Sequence, residues 1–72
     1  MNFITRQEEK IALRILQWRY RKLGLPLPPA VDLQNRAAQI VEDAHRIARK
    51  RGRNVISIIK DLANGLIDNK DQ

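Results

Sequence analysis

The sequence predicts an all-α domain in which two longer helices form an antiparallel hairpin and a shorter third helix packs across them. Apolar residues recur at intervals of three and four through three stretches of the 72-residue chain, as they do in amphipathic helices. Each of the three glycines follows one of these stretches, and the three prolines stand together at positions 26, 28 and 29. Because Gly and Pro end helices or separate them, and because the chain is short, we expect one domain of three helices.

The first helix is predicted over residues 5–23. Thr5 and Glu8 have the spacing of a capping box, and Gly24 suits the position just past a helix end. The apolar residues of this helix spread over more than half of its circumference: Ile11, Ala12, Leu13, Ile15, Leu16, Trp18, Tyr20 and Leu23. A lone three-helix unit leaves part of such a surface uncovered, so we expect a second copy of the chain to cover part of helix 1 or helix 3, giving a homodimer.

The second helix is predicted over residues 30–51, between Pro29 and Gly52, and the third over residues 54–67, with Asn54 as its N-cap. Helix 2 carries a narrow apolar seam made of Leu33, Ala37, Ile40, Ala44 and Ile47, with Val41 and Ala48 beside it. Helix 3 repeats the spacing with Val55, Ile59, Leu62 and Leu66. Residues 68–72 are predicted to be a polar tail.

The composition excludes several classes of site. There is no cysteine and only one histidine, so disulfides, thiolate metal sites and multi-histidine metal sites are excluded, and we expect no metal and no cofactor. No apolar run is long enough to span a membrane, and the first ten residues lack the apolar core of a signal peptide. We therefore expect a cytoplasmic protein with no membrane span.

The positive charge is segregated along the chain. The chain has 14 Lys and Arg against 8 Asp and Glu, a net charge of +6, yet residues 10–31 and residues 44–60 contain no acid. Such windows create local positive potential, which attracts the phosphates of nucleic acid or of anionic lipid.

The densest basic run, residues 46–53, is the main candidate for nucleic-acid binding: Arg46, Arg49, Lys50, Arg51 and Arg53. One or two bases suffice to complement the dipole at a helix C-terminus, and Glu8 and Glu9 can balance only two more. The excess favours binding of an anion.

A second candidate cluster lies in the sequence WRYRKLG and comprises Arg19, Arg21 and Lys22. Trp18 in the same stretch could stack on nucleic-acid bases or anchor helix 1 at a membrane surface. A buried aromatic is the commoner case in so small a domain, so we expect Trp18 to belong to the core.

No arrangement of residues indicates catalysis. Glu42 and His45 have the E-x-x-H spacing of some di-iron ligands, but they lie away from the apolar seam, and we expect Glu42 to pair with Arg46 instead. We expect a non-enzymatic protein that binds nucleic acid through backbone phosphates with little sequence preference. The alternative is a helical adaptor that docks a partner protein. A third possibility is attachment to a membrane surface through helix 1.

Overall fold

The computed structural model describes residues 3–65, which form three α-helices and no strand. They are α1 (Phe3–Lys22), α2 (Ala30–Arg51) and α3 (Val55–Ala63). All three pairs of helices are in contact. The predicted all-α class and the helical hairpin with a shorter third helix are confirmed.

The beginning of α1 lies beside the end of α2, which shows that the hairpin is antiparallel. Glu8 of α1 bonds to His45 of α2, while Leu13, further along α1, shares a surface groove with Gln34 near the start of α2. Residues 23–29 connect the two helices. The backbone N–H of Leu25 donates to the carbonyl oxygen of Tyr20 at 2.9 Å, which folds this connection back onto the end of α1.

The bounds of α2 agree with the predicted residues 30–51. Gly52 follows the helix with φ +65°, a left-handed conformation that favours glycine, and its N–H donates to the carbonyl oxygen of Ala48 at 2.8 Å. The five residues of the predicted seam and the two beside it are all buried: Leu33, Ala37, Ile40, Val41, Ala44, Ile47 and Ala48.

Helix α3 begins as predicted but ends earlier. The Asn54 side chain caps it by accepting hydrogen bonds from the backbone N–H groups of Ile56 and Ser57, at 2.8 and 3.4 Å. The helix ends at Ala63, so the predicted end at residue 67 was wrong by four residues. Residues 66–72, including the predicted tail, lie outside the described residues.

The core is formed mainly by α2, which contributes these seven residues. The other buried apolar residues are Ala12 and Leu16 of α1 and Ile58, Ile59 and Ala63 of α3. Small side chains at several of these positions let the helix backbones approach closely.

Two predictions for α1 were wrong. The helix begins at Phe3, so Thr5 lies inside it and is not its N-cap, and Glu8 bonds to His45 rather than closing a capping box. Trp18 is not in the core, since 54% of its surface is exposed. The buried line of α1 runs through Glu8, Ala12 and Leu16, and at about 100° per residue Trp18 lies roughly 200° from Leu16.

Candidate nucleic-acid interface

The last turn of α2 presents three exposed bases: Arg49, Lys50 and Arg51. None of the three forms an ion pair within residues 3–65. They also stand at the C-terminal end of the helix, where the backbone carbonyls interact favourably with cations. We call these three residues the α2 basic end.

The two other bases of the predicted run are held by acids. The Arg46 Nη2 atom donates to Asp43 Oδ1 at 2.8 Å, so the predicted pair with Glu42 was wrong. Arg46 reaches Asp43 because that carboxylate, buried on the α3 side of α2, is three residues away on the same helix. The Arg53 Nη2 atom donates to Asp61 Oδ2 at 3.1 Å. Arg46 and Arg53 are therefore less available to a ligand than the α2 basic end.

The second predicted cluster is divided between surface and interior. Arg21 and Lys22 are exposed, and the Lys22 Nζ atom lies 4.8 Å from the centre of the Trp18 ring. Arg19 is half-buried, and its guanidinium lies beside Gly65 just past the end of α3. Arg19 thus packs against the domain itself and is less available to a ligand than Arg21 and Lys22.

A row of bases on the outer face of α1 was missed by the sequence analysis. Arg6, Lys10, Arg14 and Arg21 are all exposed and follow one another at intervals of four, four and seven residues, which places them on one side of the helix. Of the two acids of α1, Glu8 is buried, and Glu9, which is partly buried, lines a groove beside Arg6 and Lys10. We call the row the α1 basic stripe. Its helical spacing was visible in the sequence, but which side of α1 faced solvent was not.

The stripe and the basic end meet at the same end of the hairpin. Arg49 of α2 and Thr5 of α1 line one shallow groove, and Arg6, the first base of the stripe, follows Thr5 directly. Glu9 and Glu42 also line this groove and lower its positive potential. The seven cations of the two surfaces nevertheless outnumber these two carboxylates. The arrangement suits a polyanion that runs along the hairpin.

The single histidine has a structural partner. The His45 Nε2 atom lies 2.8 Å from Glu8 Oε1, and the Glu8 side chain is nearly buried. Within residues 3–65 there is no group of three or more His, Cys, Asp or Glu side chains that could hold a metal ion. Neither α1 nor α2 nor α3 has the length and apolar character needed to cross a membrane.

No protein-family model matches the chain, and neither curated proteins nor solved structures show a significant similarity to it.

Proposed function

We propose that this is a non-enzymatic cytoplasmic protein that binds nucleic acid through backbone phosphates. The observation that carries the proposal is the α2 basic end, where Arg49, Lys50 and Arg51 are exposed and have no acidic partner within residues 3–65. Cations that only complemented the helix dipole would be fewer, and cations that only served the fold would be paired, as Arg46 and Arg53 are.

The α1 basic stripe supports the same function. From Arg6 to Arg21 it extends over 15 residues, or about 22 Å at the rise of an α-helix. A row of this length can contact several phosphates of one strand. Contacts of this kind fix the position of a protein on nucleic acid but do not read bases, so we expect little sequence preference.

Fluorescence anisotropy with labelled duplex DNA, single-stranded DNA and RNA of several sequences tests the proposal. We expect log affinity to fall linearly with log salt concentration, with a slope of roughly −0.9 for each phosphate neutralised on duplex DNA. Replacing Arg49, Lys50 and Arg51 with Ala should make that slope shallower by about 2 to 3. Arg14→Ala, which removes one base of the stripe, should reduce it by about 1.

Lys60→Ala is the matched control. Lys60 is exposed on α3 and belongs to neither basic surface, and its removal changes the net charge by the same amount as Arg14→Ala. The slope should therefore stay unchanged in Lys60→Ala. Absence of binding at low salt, or an equal effect of Lys60→Ala and Arg14→Ala, would refute the proposal. Absence of nucleic-acid binding together with a single stoichiometric protein partner would favour the adaptor alternative.

We also propose that the protein is a homodimer. Ile4, Ile11, Ile15 and Trp18 follow one flank of α1 at intervals of seven, four and three residues. Ile4 is 65% exposed and Trp18 54%, whereas Ile11 and Ile15 are partly buried. This spacing is typical of helix–helix seams, so α1 of a second copy would cover the flank. Light scattering should give twice the chain mass, and Ile4→Ser should shift the mass toward the monomer. A single-chain mass at all concentrations would contradict the dimer.

A further inference from the structure

The end of the hairpin opposite the α2 basic end exposes large apolar side chains. Leu23, Leu25, Leu27 and Val31 are exposed by 57, 50, 48 and 63%, and all lie in or beside the connection between α1 and α2. Single exposed apolar residues are ordinary, but several at the same end of a helical hairpin are typical of a docking surface. We call these four residues the apolar tip.

The conformation of the tip is restricted before any partner binds. Two of its residues, Leu25 and Leu27, adjoin the prolines at positions 26, 28 and 29, each of which fixes its own φ angle. The hydrogen bond from Leu25 N–H to the Tyr20 carbonyl holds the first part of the connection against α1. Little conformational entropy remains to be lost when the leucines enter an apolar environment.

The charges around the tip are mostly positive. Arg21 and Lys22 are exposed in the last turn of α1, and Arg36 of α2 lines a shallow groove together with Leu23 and Leu25. Asp32, exposed in the first turn of α2, is the acid nearest to the tip among residues 3–65. An apolar centre with a cationic rim is complementary to a surface that is anionic outside and apolar beneath.

We propose that the apolar tip docks on an anionic lipid bilayer. The leucines and Val31 enter the boundary between headgroups and acyl chains, while Arg21 and Lys22 remain at the level of the lipid phosphates. Each basic residue near such a surface adds electrostatic attraction. Two copies of this chain meeting tip to tip would instead bring together two cationic rims, which disfavours self-association through this end.

Co-sedimentation with lipid vesicles tests the proposal. The intact chain should sediment with vesicles of phosphatidylcholine and phosphatidylserine and much less with phosphatidylcholine alone. Leu25→Ser combined with Leu27→Ser should lower the partition coefficient by at least about tenfold, because two half-exposed leucines no longer contribute apolar surface. Both residues lie outside the helices, and circular dichroism of the variant should match that of the unchanged chain.

Ile4→Ser is the control for loss of exposed apolar surface, since Ile4 is 65% exposed and lies at the other end of α1; it is compared with the tip variant at a protein concentration where light scattering gives a monomer for both. It should leave vesicle binding unchanged, as should Arg49→Ala. Failure to sediment, equal loss in Ile4→Ser and the tip variant, or self-association through the tip measured by light scattering would overturn the proposal. The tip variant should still bind nucleic acid, so the two proposals fail independently.

Discussion

The hydrogen bond between Glu8 and His45 is the contact whose removal gives the sharpest test of the packing between α1 and α2. The two partners differ in exposure: the Glu8 side chain is 9% exposed and the His45 side chain 43%. With the carboxylate as acceptor, the bond requires a hydrogen on Nε2 of the imidazole. His45→Ala therefore leaves a nearly buried carboxylate without this hydrogen-bond donor, whereas loss of Glu8 leaves an imidazole that water can reach.

The expected energies follow from this asymmetry. Leaving a buried acceptor without its donor costs about 1–3 kcal/mol, and more if the group is charged, so His45→Ala should destabilise the fold by about 2 kcal/mol. Glu8→Leu replaces the carboxylate with an apolar group of similar size and should change stability by less than about 1 kcal/mol. In the Glu8→Leu background, His45→Ala should cost no more than about 0.5 kcal/mol, because no carboxylate remains to be stranded.

Urea unfolding followed by circular dichroism measures the four members of this double-mutant cycle. For a domain of this size the slope of free energy against urea is about 1 kcal/mol per molar, so His45→Ala alone should lower the midpoint by about 2 M. The helix propensity of Ala enters both His45→Ala steps equally and cancels from the coupling energy. An equal cost of His45→Ala in the two backgrounds would show that the bond does not join the helices.

Five further variants at four positions probe other contacts. Asn54→Ala removes the α3 cap and should cost about 1 kcal/mol, which calorimetry should detect as a melting temperature lower by roughly 5 °C. Ile59→Ala opens a cavity at a fully buried position and should cost about 2–5 kcal/mol, against about 0.5–1.5 for Ile59→Val, both measured by urea unfolding. Gly65→Ala and Gly52→Ala both force a left-handed backbone (φ +72° and +65°) and should each cost about 1–2 kcal/mol. The Arg19 guanidinium lies 2.7 Å from the new Cβ at position 65 but can swing aside, so a loss at Gly65 several-fold larger than at Gly52 would show that Arg19 is fixed.

The sequence predicted those parts of the fold that depend on local chemistry. The bounds of α2 agree with the prediction because Pro29 precedes the helix and Gly52 follows it. The apolar stripe of α2 is narrow, so only one side of the helix can face the core, and that side is buried. The Asn54 cap was predicted for the same reason, since capping involves only the first turn of a helix.

The features that were predicted wrongly or missed depend on how the helices face one another. Helix α1 is apolar around much of its circumference, so its sequence does not define which side is buried, and Trp18 was placed in the core only because aromatics in small domains are commonly buried. The α1 basic stripe was missed for the same reason. Arg46 had two acids within reach along the helix, and tertiary packing, which buries Asp43, selected the pair.

The Glu8–His45 bond also fixes how α1 and α2 are aligned along each other, although their apolar surfaces would allow more than one alignment. The alanines at positions 12, 37, 44 and 48 have small side chains, so the facing sides of α1 and α2 are smooth. A shift of one helix along the other by one turn, about 5.4 Å, would still place methyl groups against methyl groups. That slide would carry the Glu8 carboxylate off the imidazole, onto the Val41 side chain or out to the final turn of α2. The Glu8–His45 pair in this apolar seam therefore favours one register of α1 against α2, which keeps the basic residues of the two helices at a constant offset.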